Sequence, residues 1–227
     1  MKPLTRYIQE KLVIKKSNNL FGYKYFPETK EELREIIEQR IKTEGNEVDL
    51  NDIDVSKITD MSSLFVSLNF NGDISNWNVS NVENMRGMFE GCKLFNQDIS
   101  QWNVSNVTNM NNMFYECESF NQDISDWNVS KVNNMEGMFE RCKSFNQDIS
   151  NWDVSNVTTM AGMFSRCESF NKDISTWDVS NVVQMFFMFY GCKKFNQDIS
   201  SWDVSKVTNI YKVFWDCPIE EKYKPKF

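Results

Sequence analysis

Histidine is absent from this chain of 227 residues. Its absence removes the commonest general base, the usual activator of a nucleophilic serine or cysteine, and the imidazole ligand of most catalytic zinc sites. Glycine is scarce as well: the eight present stand singly, so no glycine-rich loop is available to cradle a phosphate. Basic charge is short, with 25 Lys and Arg against 32 Asp and Glu, a net charge of −7 and a pI near 4.8. Such a chain repels polyanions, and no basic stripe interleaved with aromatics offsets the balance, so no nucleic-acid partner is expected. No apolar run approaches the roughly 18 to 20 residues that a membrane helix needs, and the stretch from Met1 to Glu10 lacks the apolar segment of a signal peptide. No membrane insertion and a cytoplasmic location are therefore expected.

What the chain has is a period. Trp77, Trp102, Trp127, Trp152, Trp177 and Trp202 are spaced by 25 residues, and their surroundings repeat with them. Six copies run from Phe70 to Ile219, each opening on the type F-N-x-D-I-S-x-W-[ND]-V-S and closing on a V-x-x-M-x-x-M-F-x-x-C run, in which the last copy has Ile210 and Val213 in the methionine places. Residues 49–69 follow the same frame loosely, with Ile53 in the tryptophan place and Leu68 in the cysteine place, as a degenerate first coil. A fixed period of this order means a unit that stacks on copies of itself, because one copy alone cannot bury its apolar face.

Two apolar spacings alternate within a copy. Val107, Met110, Met113, Phe114 and Cys117 lay one stripe along a helix of about three turns, with Ser105 as its N-cap. Ile99, Trp102 and Val104 fit a short strand, on which Trp102 and Val104 point inward and Asn103 outward. The expected fold is therefore α/β: a solenoid with one short strand and one helix per 25-residue coil and a parallel sheet on one face. The I-x-x-W-x-V-x-x-V string has the spacing of the strand segment of leucine-rich repeats. The consensus F-N-Q-D-I-S-x-W-D-V-S-N-V-T-x-M-x-x-M-F-x-x-C, almost intact at Phe145–Cys167, resembles the repeat of the BspA-type leucine-rich-repeat surface proteins. The same repeat is known from mycoplasma and listeria surface proteins as a domain of unknown function. The resemblance covers residues 49–219 and implies a leucine-rich-repeat-like scaffold that binds other macromolecules, often at a cell surface and sometimes in adhesion. It implies no catalytic residue and no cofactor. Sequons such as Asn103-Val104-Ser105 and Asn156-Val157-Thr158 would place glycans beside the strand wall in a eukaryotic secretory pathway, a conflict that a bacterial, viral or cytosolic setting avoids.

Cys92, Cys117, Cys142, Cys167, Cys192 and Cys217 occupy one inward slot per copy, with no C-x-x-C pair among them. That placement predicts a reduced, buried ladder, and neither a disulfide framework nor a metal site. The methionines fill the same stripe. Carboxylates recur at one place in every copy, which suits a structural role better than a unique active site, so an enzyme is not expected.

Two surfaces stand out as candidate partner-binding sites. Asp73, Asp98, Asp123, Asp148, Asp173 and Asp198 form one acidic ladder, read as Asx-type turns in preference to calcium ligands. The second ladder, Asn78, Asn103, Asn128, Asp153, Asp178 and Asp203, ends in three like charges and offers an acidic strip to a basic partner, or else a solvated strip screened by salt. On the opposite wall most copies carry polar residues in the outward slots, but Phe186, Phe187 and Tyr190 stand there in one copy and Tyr211 and Trp215 in the next. Clustered aromatics mark a protein interface, a site of self-association, or a surface that the tail, residues 218–227, covers. Residues 1–48 read as a capping module. Thr29 with Glu32 makes a T-x-x-E capping box, Leu33, Ile36, Ile37 and Ile41 make an apolar stripe, and Gly45 makes a stop, for a helix over about 29–43. Lys11–Lys16 and Leu20–Phe26 read as short extended segments before it, and the module is itself a candidate contact for a host protein. The expected function is a non-enzymatic scaffold for protein–protein interaction. The alternatives are an adhesin or matrix binder, and a calcium-dependent carbohydrate-binding module.

Overall fold

Apolar residues three apart close turns in this protein. In the copy Phe95–Ser119 the N–H of Trp102 donates to Ile99 O at 3.2 Å, Val107 to Val104 at 2.9 Å, Met113 to Met110 at 3.1 Å and Cys117 to Phe114 at 2.9 Å. In this copy both ends of each turn are buried, and the two middle residues are partly or fully exposed. The structure, a computed structural model, describes residues 22–227, and the expected segment Lys11–Lys16 lies outside them.

The turns replace the expected helical wall for a reason written in the backbone. The third residue of each of the last two turns adopts a left-handed φ: 59° at Gly87, 55° at Asn112, 63° at Arg141 and 57° at Phe187. An α-helix needs φ near −60° throughout, so it cannot pass through these positions. The freed N–H groups bond sideways to the next coil. Met110, Asn112, Phe114 and Glu116 donate to the carbonyls of Asn134, Glu136, Met138 and Glu140 at 3.0, 2.8, 3.0 and 2.9 Å.

The expected strand wall does not form either. Asp98 and Asn103 each accept, through Oδ1, the N–H two residues on, from Ser100 at 2.9 Å and Ser105 at 3.1 Å. Such side-chain bonds bend the chain into turns where an extended strand would need it straight. Pairing between repeat coils reduces to one isolated parallel bridge each, running Asp60, Asn84, Asn109, Asn134, Thr159, Gln184, Asn209. An α/β, leucine-rich-repeat-like architecture with a parallel sheet is thereby overturned: this is a stack of turn-built coils, with one α-helix among the described residues.

The core is a set of side-chain columns running the length of the stack. Phe89, Phe114, Phe139, Phe164 and Phe189 stack at 5.6 to 5.9 Å between ring centres, and Phe120 packs against Phe114 at 4.0 Å. Trp77 and Trp102 lie parallel at 6.5 Å. The indole N–H of each of the six repeat tryptophans is satisfied one coil back, as where Trp102 Nε1 donates to Ile74 O at 3.2 Å, so a ring with a polar edge can be buried. In the degenerate first coil Leu50 takes the isoleucine role, accepting from Trp77 Nε1 at 3.0 Å. The thiols donate to backbone as well, Cys117 Sγ to Phe89 O at 3.1 Å.

The two ends are closed differently. Helix α1 (Lys30–Glu44) starts at Thr29, whose side chain accepts from Glu32 N, and ends at Gly45, one residue later at each end than the spacing predicts. Its buried Leu33, Ile36 and Ile37 cover the first coil, while Arg34 Nη1 donates to Ser63 O at 2.5 Å and Leu64 O at 3.2 Å. At the other end the tail buries Ile219, and Tyr223 O accepts from Ile199 N at 3.0 Å.

Candidate functional site

The six residues of the outward Asn/Asp ladder are all exposed beside the tryptophan column. Each is also a turn cap: Asn78, Asn103, Asn128, Asp153, Asp178 and Asp203 accept through Oδ1 from the serine N–H two residues on, at 3.0 to 3.2 Å. The Ser180 hydroxyl and amide hold the Asp178 carboxyl below the usual carboxylate range against the like charge of Asp203, and the Ser205 hydroxyl and amide hold Asp203 below it too. Lys206 adds to both. The first ladder is built alike, from Asp73 through Asp198. One oxygen of every carboxylate is therefore already engaged by backbone.

The aromatic residues gather at the C-terminal end of the opposite wall. Phe187 stands at their centre, edge-on to Phe186 at 6.1 Å, Tyr190 at 5.5 Å and Tyr211 at 5.3 Å. Lys212 Nζ lies 5.2 Å from the Tyr211 ring and 5.0 Å from the Trp215 ring, and the Arg166 guanidinium lies 5.5 Å from Tyr190. Tyr211 and Trp215 remain 58% and 60% exposed. The tail does not cover them, because it packs on the core end, with Phe227 6.4 Å from Phe214.

Sequence reasoning missed the groove that adjoins this patch. Its floor is Gly137, Ala161 and Gly162, its walls are Tyr115 on one side and Phe186 and Phe187 on the other, and its volume is about 390 Å³. Burial pushes the Glu140 carboxyl up within it, against the pull of Arg141 and of the Ser165 hydroxyl 3.4 Å away. The available signal was the run of small residues in the outward slots of two successive copies, where the neighbouring copies carry Asn111 with Asn112 and Phe186 with Phe187.

The model of the family described as Mycoplasma protein of unknown function, DUF285, matches residues 32–148 and 122–224. The chain belongs to that family. The two matches overlap over residues 122–148, about one period, and extend from within α1 past the short 3-10 helix Glu221–Tyr223. The match supports a mycoplasma-type repeat family; a BspA or leucine-rich-repeat identity is no part of it. No curated protein matches the sequence.

Proposed function

We propose that the protein is a non-enzymatic repeat scaffold that binds a protein partner through the aromatic C-terminal end of its turn wall. The observation that carries this reading is the exposure of Tyr211 and Trp215 in slots that are polar in most copies, next to Phe186, Phe187 and Tyr190. Aromatics with a polar edge, flanked by Lys212 and Arg166, have the composition of interface anchors. The acidic strip at Asp153, Asp178 and Asp203 has weaker support, since its carboxylates serve the fold as turn caps. The consensus around Phe145–Cys167 supports kinship with BspA-type surface proteins, and with it adhesion as the second reading.

Capture from extract of the native cell tests the choice of surface. Tyr211→Ser with Trp215→Ser should abolish capture without any dependence on salt, because the loss is of apolar contact. Asp153→Asn, Asp178→Asn and Asp203→Asn together should leave capture unchanged. Salt-dependent loss in the triple variant, with normal capture by the serine variant, would move the site to the acidic strip.

A further inference from the structure

The backbone at the same end of the stack is unfinished. Along the turn wall every coil donates four alternate N–H groups to the carbonyls of the next, so Met185, Phe187, Phe189 and Gly191 donate to Asn209, Tyr211, Val213 and Trp215 at 2.9 to 3.1 Å. The equivalent donors of the last coil are Ile210, Lys212, Phe214 and Asp216. None of the four has an acceptor among the described residues. The tail does not supply one, because it continues the other wall: Glu220 N donates to Asn196 Oδ1 at 2.9 Å and Tyr223 O accepts from Ile199. Among the described residues, four of the five exposed large hydrophobics, Ile210, Tyr211, Trp215 and Phe227, lie at this same end.

We infer that this row takes up a segment of a partner protein wound into the same turns as a coil, which runs parallel to the last coil, presents carbonyls at alternate residues and lays apolar side chains against Ile210, Tyr211 and Trp215. The inference rests on the reading that the C-terminal end is the binding surface. The parallel sense follows from the bridges, all of which are parallel up to Asn209. Addition to an open edge draws affinity from main-chain hydrogen bonds, and here the ladder that the segment would extend is already built through the preceding coils. A second copy does not fit. Two such rows related by a twofold axis set donor against donor. A head-to-tail stack needs the carbonyls of the first coil, where α1 lies and Arg34 occupies those of Ser63 and Leu64.

The test uses the full chain and a displayed library of linear peptides about a dozen residues long, selected on it; the best peptide is then synthesised. Bound peptide should slow amide exchange at Ile210, Lys212, Phe214 and Asp216 by about tenfold or more while the rest of the turn wall is unaffected. Ile210→Pro, which removes one donor, should weaken binding about tenfold, and Ile210→Ala, which keeps it, by no more than about threefold. Exchange in the wild-type chain decides the matter if the proline variant does not fold. A peptide whose binding is lost in Tyr211→Ser/Trp215→Ser but which leaves the four amides exchanging freely overturns the edge and spares the surface. A peptide indifferent to both, or a selection that yields none, overturns both. Protection of the four amides by self-association of the free chain overturns the choice of partner.

Discussion

The indole of each repeat tryptophan is buried and donates to a carbonyl one coil back, and that of Trp127 also stacks on Phe114 at 6.3 Å. Trp127 is 3% exposed and donates to Ile99 O at 3.2 Å. Trp127→Ala should cost about 3 to 5 kcal/mol in urea unfolding, since a large cavity opens and a buried carbonyl loses its donor. A loss below about 1 kcal/mol would place the ring outside the core. The ionisable residues give a second expectation. Asp123 and Asp148 are held below the usual carboxylate range, first by the backbone N–H of Ser125 and Ser150. A group whose folded pKa is depressed contributes stability above its unfolded value, near 3.9, and that contribution disappears as pH falls through the folded value. Melting temperature should therefore be flat between about pH 5 and pH 8 and fall steeply below about pH 4. The thiols act in the opposite sense. Burial pushes the Cys92 thiol up to about 11, so its contribution is whole below the ordinary thiol value and is lost as pH rises toward 11. Mass spectrometry after timed labelling at neutral pH should find Cys217, the half-buried one, modified first and the other five protected.

At the scale of one coil, a turn wall and a helical wall differ in the sign of a single substitution. In a helix Gly→Ala stabilises by about 1 kcal/mol. Gly162 has φ of 63°, where an added Cβ is strained by about 1 to 2 kcal/mol and also stands 3.2 Å from Glu140 Oε2. Gly162→Ala should therefore destabilise, and a stabilised variant would restore the helix. That sign explains what was legible beforehand. The period, the inward slots and α1 with its caps at Thr29 and Gly45 all follow from side-chain chemistry that the sequence displays. The helical wall was misread because a spacing of three serves both a helix and a run of turns. A left-handed φ at Arg141, Arg166 or Phe187 leaves no trace in residue type, whereas Gly87 or Gly137 alone reads as chance. The aromatic patch was legible because its side chains break the repeat; the donor row beside it was not, because backbone N–H groups are the same at every residue.

Across the whole molecule stability is shared between neighbours, so damage at one end should remain local. Deleting residues 218–227 uncovers the Phe195–Cys217 coil and removes the acceptor of Ile199 N. Hydrogen exchange should speed up there and stay unchanged around Trp102, as expected when coils interact only with adjacent coils. Loss of protection throughout would mean that the tail holds the entire stack.

The asparagine after each opening phenylalanine ties these coils in series: Asn71 Oδ1 accepts from Asn96 N, Asn96 from Asn121, Asn121 from Asn146, Asn146 from Asn171 and Asn171 from Asn196, all at 2.9 to 3.0 Å. Every link is the same bond between the same atoms, so the series has no privileged member. A gene that loses or gains one whole copy, such as residues 120–144, reconnects Asn96 to Asn146 with the bond it lost. Copy number can thus drift under recombination between near-identical segments while both ends stay capped, and the distance from α1 to the aromatic end becomes a length that inheritance can adjust in fixed steps.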